Sequence, residues 1–424
     1  MASPPPKSVE REQIQGRAPH ERLREVTALA VAPTAFFGDY GCHVRIVEEV
    51  AALAAHGVVT RVATYPFGRA LPGVEVRRAP RLPGQRRVDP GASLQKFSLD
   101  ATLASTALVA ARSSHPALIH GHLHEGALIG WAVARTQRVP ILLDFQGSMT
   151  SEMIDHGFLA RNGLAFRGFR AIEQWTVDHV DHIVTSTHHG ADVLVREFGC
   201  RASRITVVPD AVNTDRFRPL WLIAAQDGHL ARAERLKAEL GVPGQRPVVV
   251  YLGLLAEYQG ITHLLRAAQA LVERGVEAHF LIMGFPGEDR YRALAARLGL
   301  AEHTTFTGAI PYERAAEFLA LGDVAVAPKL SNTEGNGKLL NYIAMGLPTV
   351  AFDTAVSREI LGDLGVYAPP GDWSALAVEL EGVLREPVAA RQRGEALRAK
   401  AVLDHSWARA VEPLIEAYAR LLGR

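Results

Sequence analysis

The chain predicts an α/β protein of two doubly wound, Rossmann-like domains facing across a ligand cleft. Three observations predict it. Short β-rich runs alternate with helix-period segments along most of the chain, the rhythm lapses between Asn213 and Arg246 and then resumes, and each half opens with a strand, a Gly-bearing loop and a helix. Repeated strand–helix units imply a parallel sheet covered by helices on both faces. Such sheets take their ligands beyond the carboxyl ends of the strands. A length of 424 residues fits two or three domains.

Residues 1–24 read as a polar tail, and the stretch from Met1 to Lys7 has no apolar core behind it, so it is not a signal peptide. The first domain is expected over 25–215. Thr27–Ala32 is a buried apolar strand, followed by the loop Phe37–His43 and a helix from Val44 to His56. Ile46, Val50 and Leu53 share one face of that helix, and Gly57 stands where a C′ residue belongs. Val59–Thr64, Leu118–His120, Ile141–Phe145, His182–Ser186 and Ile205–Val208 are the next strands, with helices such as Glu125–Arg135 and His189–Phe198 among them. The lapse at 213–246 holds Pro219, a charged helix around Ala231–Leu240 and the turn Gly241–Gly244, and reads as an interdomain connection. The second domain, 216–403, has strands at Val248–Leu252, Ala278–Met283, Thr304–Thr307, Val324–Ala327 and Thr349–Phe352. Helices are expected at Thr262–Arg274, Tyr291–Leu298, Glu313–Leu321 and Leu339–Met345. Residues 404–424 carry a closing amphipathic helix, Ser406–Leu422, with Trp407, Leu414, Ile415, Tyr418 and Leu421 available to pack.

Composition narrows the function classes. Lys and Arg number 46 against 45 Asp and Glu, a net charge of +1, which argues against a nucleic-acid binder that neutralises phosphates. Two cysteines, Cys42 and Cys200, exclude a disulfide scaffold and suit a reducing cytosol. No run approaches the ~18 apolar residues that span a bilayer, so a cytoplasmic protein is expected. Phe158–Arg170 mixes Phe158, Leu159, Leu164, Phe166 and Phe169 with Arg161, Arg167 and Arg170, a pattern equally compatible with peripheral membrane contact and with a core helix carrying solvated arginines.

Several residues are candidates for chemistry. Gly41, in the first strand–helix loop, permits close approach of backbone to a ligand. His120, His122 and His124 alternate at a strand end, where a shared face would permit a metal, the reading of a histidine-cluster metallohydrolase. Lys329 and Lys338 bracket a loop that carries Glu334 and opens a helix. Gly335, Asn336 and Gly337 expose backbone N–H groups at that helix start, an anion site with the dipole behind it.

The ordered segments Val250–Leu254, Gly260–Thr262, Phe280–Gly284, Phe306–Gly308, Leu321–Pro328, Glu334–Pro348 and Gly371–Asp372 resemble the family 4 retaining glycosyltransferases of the GT-B fold. Gly41–Gly57, Ile119–His122, Val207–Phe217 and the Ser406–Trp407 helix extend the resemblance over nearly all the chain from Thr27 onward. It implies a hexosyltransferase that moves a sugar from a nucleotide-sugar donor to a sugar, lipid-linked or small-molecule acceptor. It further implies that no metal or other cofactor is needed, in keeping with the absence of an Asp-x-Asp motif, and that the closing helix crosses back to the first domain. Glu334 and His122 would act on the donor sugar, and Gly41, Lys329, Lys338, Gly335, Asn336, Gly337 and Asn341 would hold the donor. Gln146, where many members have His, and His124 would stand on the acceptor side. The family places Arg and Lys on the diphosphate where this chain has Leu254 and Gln259, and its second motif glutamate reads Asn341, one residue early. Ala211 and Tyr40 replace two motif glycines. These departures motivate the alternative of a catalytically silent sugar- or partner-binding module, or a positive charge relocated to Lys338.

Overall fold

The computed structural model describes residues 23–38, 41–85, 96–155, 159–160, 163–224, 228–331 and 335–423. Tyr40, Phe158, Arg161, Glu334 and most of the N-terminal tail lie outside the described residues. Among the described residues, those of 23–38, 42–209 and 407–423 form one compact unit, and those of 210–406 with Gly41 another.

The first unit holds a seven-stranded, all-parallel sheet. Its strands are β1 (Thr27–Ala32), β2 (Val59–Thr64), β3 (Glu75–Arg78), β4 (Leu118–His122), β5 (Ile141–Phe145), β6 (His182–Thr185) and β7 (Ile205–Val207), in the order β3-β2-β1-β4-β5-β6-β7. Side-chain alternation divides the core in two. Leu29, Val31, Ile119, Ile141, Leu143 and Ile183 pack with the helices Lys96–Ser114 and Leu123–Gln137 on one face. Ala28, Leu118, Leu142 and Val184 pack on the other, with Leu53 of the helix Gly41–Ala55 and with Leu414, Ile415 and Tyr418 of the closing segment. That segment is not one helix. It divides into Trp407–Ala410 and Glu412–Leu421, because Pro413 has no N–H to continue the ladder and its ring crowds the preceding turn.

The second unit carries β8 (Val248–Leu252), β9 (His279–Met283), β10 (Thr304–Gly308), β11 (Val324–Ala327), β12 (Thr349–Phe352) and β13 (Val366–Ala368), again all parallel, in the order β10-β9-β8-β11-β12-β13. Residues 213–246 belong within this unit: Ala233 and Leu236 of the helix His229–Glu239 are buried, as is Val242. The strand order reverses at β1/β4 in the first sheet and at β8/β11 in the second. Those are the crevices where ligands of doubly wound sheets bind.

Each unit also buries a histidine at the start of an inner strand. His182 Nε2 lies 2.8 Å from the Thr206 hydroxyl, and His279 Nε2 lies 2.9 Å from that of Thr305. Burial, helped by nearby arginines, lowers both imidazoles to about 4. A depressed histidine is neutral in the fold and charges in the unfolded chain, so its contribution is complete above the unfolded value near 6.5 and is lost as pH falls toward 4. At pH 5 each is expected to cost about 2 kcal/mol relative to pH 7. The fall in melting temperature between pH 7 and pH 5 should therefore be smaller in a His182→Gln/His279→Gln variant than in the wild type. An equal fall would assign acid sensitivity to other groups.

Candidate active site

In the first unit the even-numbered residues of β4 and β5 face the helix Gly41–Ala55 and the closing helix. Leu118 and Leu142 begin that face as core, and His120, His122 and Asp144 continue it as a polar cluster. His122 and Asp144 are directly opposed in register, and His122 Nδ1 stands 3.0 Å from Asp144 Oδ2. Arg45 Nε lies 3.3 Å from each Asp144 oxygen, and its Nη2 lies 2.9 Å from Glu49 one turn further along the helix. Burial alone would raise the Asp144 carboxyl. The Arg45 charge and the His122 hydrogen bond outweigh it and hold the group ionised, far below the usual carboxylate range. His120 stacks on His122 with ring centroids 4.3 Å apart, and its Nδ1 lies 3.0 Å from the Tyr418 hydroxyl.

The three histidines therefore do not converge. His124 lies beyond β4, in the first turn of the helix, where Nε2 meets the Gly147 carbonyl at 3.1 Å and Glu173 at 3.3 Å, and its ring packs edge-on against Phe145. Glu49, His120, His122 and Asp144 do bring four ligand-type atoms within 4.8 Å of one another. The Arg45 guanidinium is already paired with both carboxylates, however, and a cation would have to displace it. Gln146 donates from Nε2 to Asp144 at 2.7 Å, so its amide is bound into this cluster. Gly41 opens the helix Gly41–Ala55, and a Cβ there would meet nothing within 4 Å.

In the second unit the loops after β8 and β11 meet at the switch point. Gly260, at φ +79°, is pressed against the Pro328 carbonyl, where a Cβ would sit 1.8 Å from its oxygen. No other residue fits, and the contact sets Gln259 beside the β11 loop. The helix Gly337–Ala344 starts there and is tied to the end of β8 by Tyr342, whose hydroxyl accepts from Leu252 N at 2.7 Å. In its first turn Lys338 extends over Gly253 and donates to Gln259 Oε1 at 2.6 Å and to the Tyr251 hydroxyl at 3.2 Å, with Nζ 4.5 Å from the Tyr251 ring centre. A Cβ on Gly253 would stand 2.9 Å from Lys338 Cε and Nζ. Burial pushes the Tyr251 phenol well above its ordinary value, so it stays neutral and passes its own hydrogen to the Leu254 carbonyl at 2.8 Å. Lys329 is 4% exposed and donates to the Gly335 carbonyl at 2.8 Å, which bridges the base of the loop. Asn336 is the N-cap residue, 4% exposed, and neither its Oδ1 nor its Nδ2 has a hydrogen-bond partner among the described residues. Gly337 is exposed and Asn341 half-buried on the same helix.

Two family models match the chain in succession: the glycosyl transferase 4-like domain over residues 40–211 and the glycosyl transferases group 1 domain over residues 232–400. The chain belongs to the family 4 glycosyltransferases. This glycosyltransferase is 29% identical over 369 residues to the 2-deoxystreptamine glucosyltransferase of Streptomyces kanamyceticus, covering 81% of this chain and 89% of that one. It is 28% identical over 406 residues to the D-inositol 3-phosphate glycosyltransferase of Nocardia farcinica, covering 90% and 85%. Among solved structures it resembles the sucrose-phosphate synthase of Thermosynechococcus elongatus, with a TM-score of 0.78 at 18% identity over 94% of this chain and 100% of that one. Anabaena Alr3699/HepE, solved in complex with UDP-glucose, gives 0.72 at 14% identity, covering 93% of this chain and 100% of that one. These likenesses establish the GT-B fold. The glycosyltransferase is an enzyme, which sets aside the silent module.

Sequence reasoning missed Arg45, Glu49, Asp144, Tyr251 and Tyr418. Asp144 carried a signal: an acid inside the otherwise apolar strand Ile-Leu-Leu-Asp-Phe needs a buried counter-charge. Among the described residues no helix is long and apolar enough to cross a membrane. Leu164, at the start of the helix Leu164–His179, is 85% exposed, whereas Arg170 is paired with Glu173 and Glu197.

Proposed function

We propose that this enzyme transfers a hexosyl group from a nucleotide sugar to a small polyol acceptor, with retention of anomeric configuration and without a metal. The observation that carries the reading is Lys338. Its ammonium sits on Gln259, where the family resemblance implies a phosphate-binding lysine, in the first turn of a helix whose cap residue Asn336 has no side-chain hydrogen-bond partner among the described residues. A cation, the backbone N–H groups of a helix start and a cap amide at one place are the parts an α/β-diphosphate requires. In this reading Lys338, Gly335, Asn336 and Gly337 hold the diphosphate. Lys329 shapes their loop, Asn341 and Gly41 line the donor, and Glu334 and His122 bind the hydroxyls of the transferred sugar.

The bond from the sugar C1 to the diphosphate oxygen breaks, and the acceptor oxygen bonds to C1 on the same face. The acceptor proton passes to the departing phosphate oxygen. Lysine and helix-start groups supply the charge that a bound metal would otherwise supply. A small polyol acceptor is favoured over a lipid-linked one because the relatives named above carry 2-deoxystreptamine and D-inositol 3-phosphate in their names. His124 acts on the acceptor side through the ordering of the Gly147 loop rather than by direct contact, and Gln146 acts through its hold on Asp144.

A panel of nucleotide sugars, UDP-glucose first, with inositol phosphates and aminocyclitols as acceptors tests the reading. Turnover with a product of unchanged anomeric configuration, undiminished by EDTA, is the expected outcome. Turnover that EDTA abolishes and zinc restores would overturn the metal-free mechanism, and no turnover with any donor would overturn the assignment of the donor.

A further inference from the structure

The polar cluster of the first unit fixes His122 more firmly than core packing requires. Its Nδ1 faces a carboxylate that is ionised and can only accept, so Nδ1 carries the hydrogen and Nε2 is the one polar atom of the ring left for a substrate. Asp144 is itself gripped by Arg45 through both oxygens and by Gln146. The ring face of His122 lies on His120, with planes 27° apart. His120 is kept neutral by burial and by its neighbour, and its Nε2 has no hydrogen-bond partner among the described residues. The polar contact that orients His120 is the Tyr418 hydroxyl, which comes from the closing helix nearly 300 residues later in the chain.

We propose that Asp144 and Tyr418 are positioning residues for His122, one by direct hydrogen bond and the other through the stacked His120 ring, so that the closing helix takes part in setting the catalytic geometry. The inference rests on the reading of His122 as a donor-sugar contact. Without either support the His122 ring turns, and a turn of a few tens of degrees moves Nε2 by roughly 1 Å, enough to spoil a hydrogen bond made only in the transition state.

The test is a double-mutant cycle on the full-length enzyme with the nucleotide sugar that gives turnover in the panel above. Asp144→Asn and Tyr418→Phe are made alone and in a His122→Ala background, with kcat, donor KM and melting temperature measured for each. Tyr418→Phe loses one hydroxyl at constant volume, so it reports even where Asp144→Asn fails to fold. Each single variant is expected to lower kcat roughly 10-fold with donor KM nearly unchanged. In the His122→Ala background the further loss should be less than about twofold. Equal losses in both backgrounds, or unchanged kcat in the single variants while His122→Ala is impaired, would overturn the positioning role. An unimpaired His122→Ala would instead overturn the reading on which the inference rests.

Discussion

Replacing Lys338 by Ala is expected to weaken nucleoside diphosphate binding by about 1.5–3 kcal/mol, roughly 10- to 150-fold in Kd. The family resemblance implies an arginine and a lysine on the donor diphosphate at the positions where this chain has Leu254 and Gln259. Lys338 reaches the vacated position from the opposite side of the switch point, and its ammonium rests on Gln259 Oε1 and the Tyr251 hydroxyl. Both of these partners are neutral acceptors, which orient the ammonium. Titration calorimetry with UDP and other nucleoside diphosphates measures the loss directly. The exchange variant Gln259→Lys/Lys338→Gln, which moves the cation to position 259, should recover most of the affinity. Unchanged affinity in Lys338→Ala would refute the relocated charge. Lys329 is a poor substitute, since its ammonium is buried on the Gly335 carbonyl and its removal should act on loop stability first.

Glu334→Gln is expected to lower turnover by about 10²- to 10³-fold, the range for removing one group matched to the transition state. Nucleoside diphosphate affinity should change by no more than about threefold, because the proposed function puts the Glu334 carboxylate on the sugar hydroxyls and not on the phosphates. The glutamine keeps the shape and removes the charge, so kcat measured at saturating donor isolates the electrostatic contribution. Loss of diphosphate affinity equal to the loss of turnover would place Glu334 on the phosphates instead. The two variants are thus distinguished by which constant they move, affinity for Lys338 and turnover for Glu334.

The element pattern was legible wherever a strand is buried on both faces. Thr27–Ala32, Ile141–Phe145, Val248–Leu252, Val324–Ala327 and Thr349–Phe352 stand at the bounds that their apolar runs predict, as does Val59–Thr64 despite its exposed first residue. The strands left out, Glu75–Arg78 and Val366–Ala368, are sheet edges, half-wetted and short, with no apolar run to declare them. The helix Lys96–Ser114 escaped for a different reason. Its alanines, serines and threonines surround the axis almost evenly, so no apolar stripe marks its buried side. The closing helix was read as continuous because its apolar spacing is continuous. Pro413 interrupts the backbone ladder without disturbing that spacing.

Of the candidate site, the sequence alone determined the residue types and their places at strand ends and helix starts: Gly41, His122, the Gly335–Gly337 turn and Lys338. These follow from local rules, since a glycine-rich turn before a helix exposes N–H groups whatever surrounds it. Only the tertiary structure decided what each group is bound to. Register across β4 and β5 set Asp144 against His122 and turned the pair toward Arg45, while His124, just past the strand, went to Glu173. Packing of Gly260 on Pro328 put Gln259 under Lys338. The closing helix brought Tyr418 to His120. Each of these contacts joins residues that are distant in sequence through a buried polar group. Such a group must find its partner wherever the fold supplies one, because leaving it unpaired costs more than the contact itself contributes.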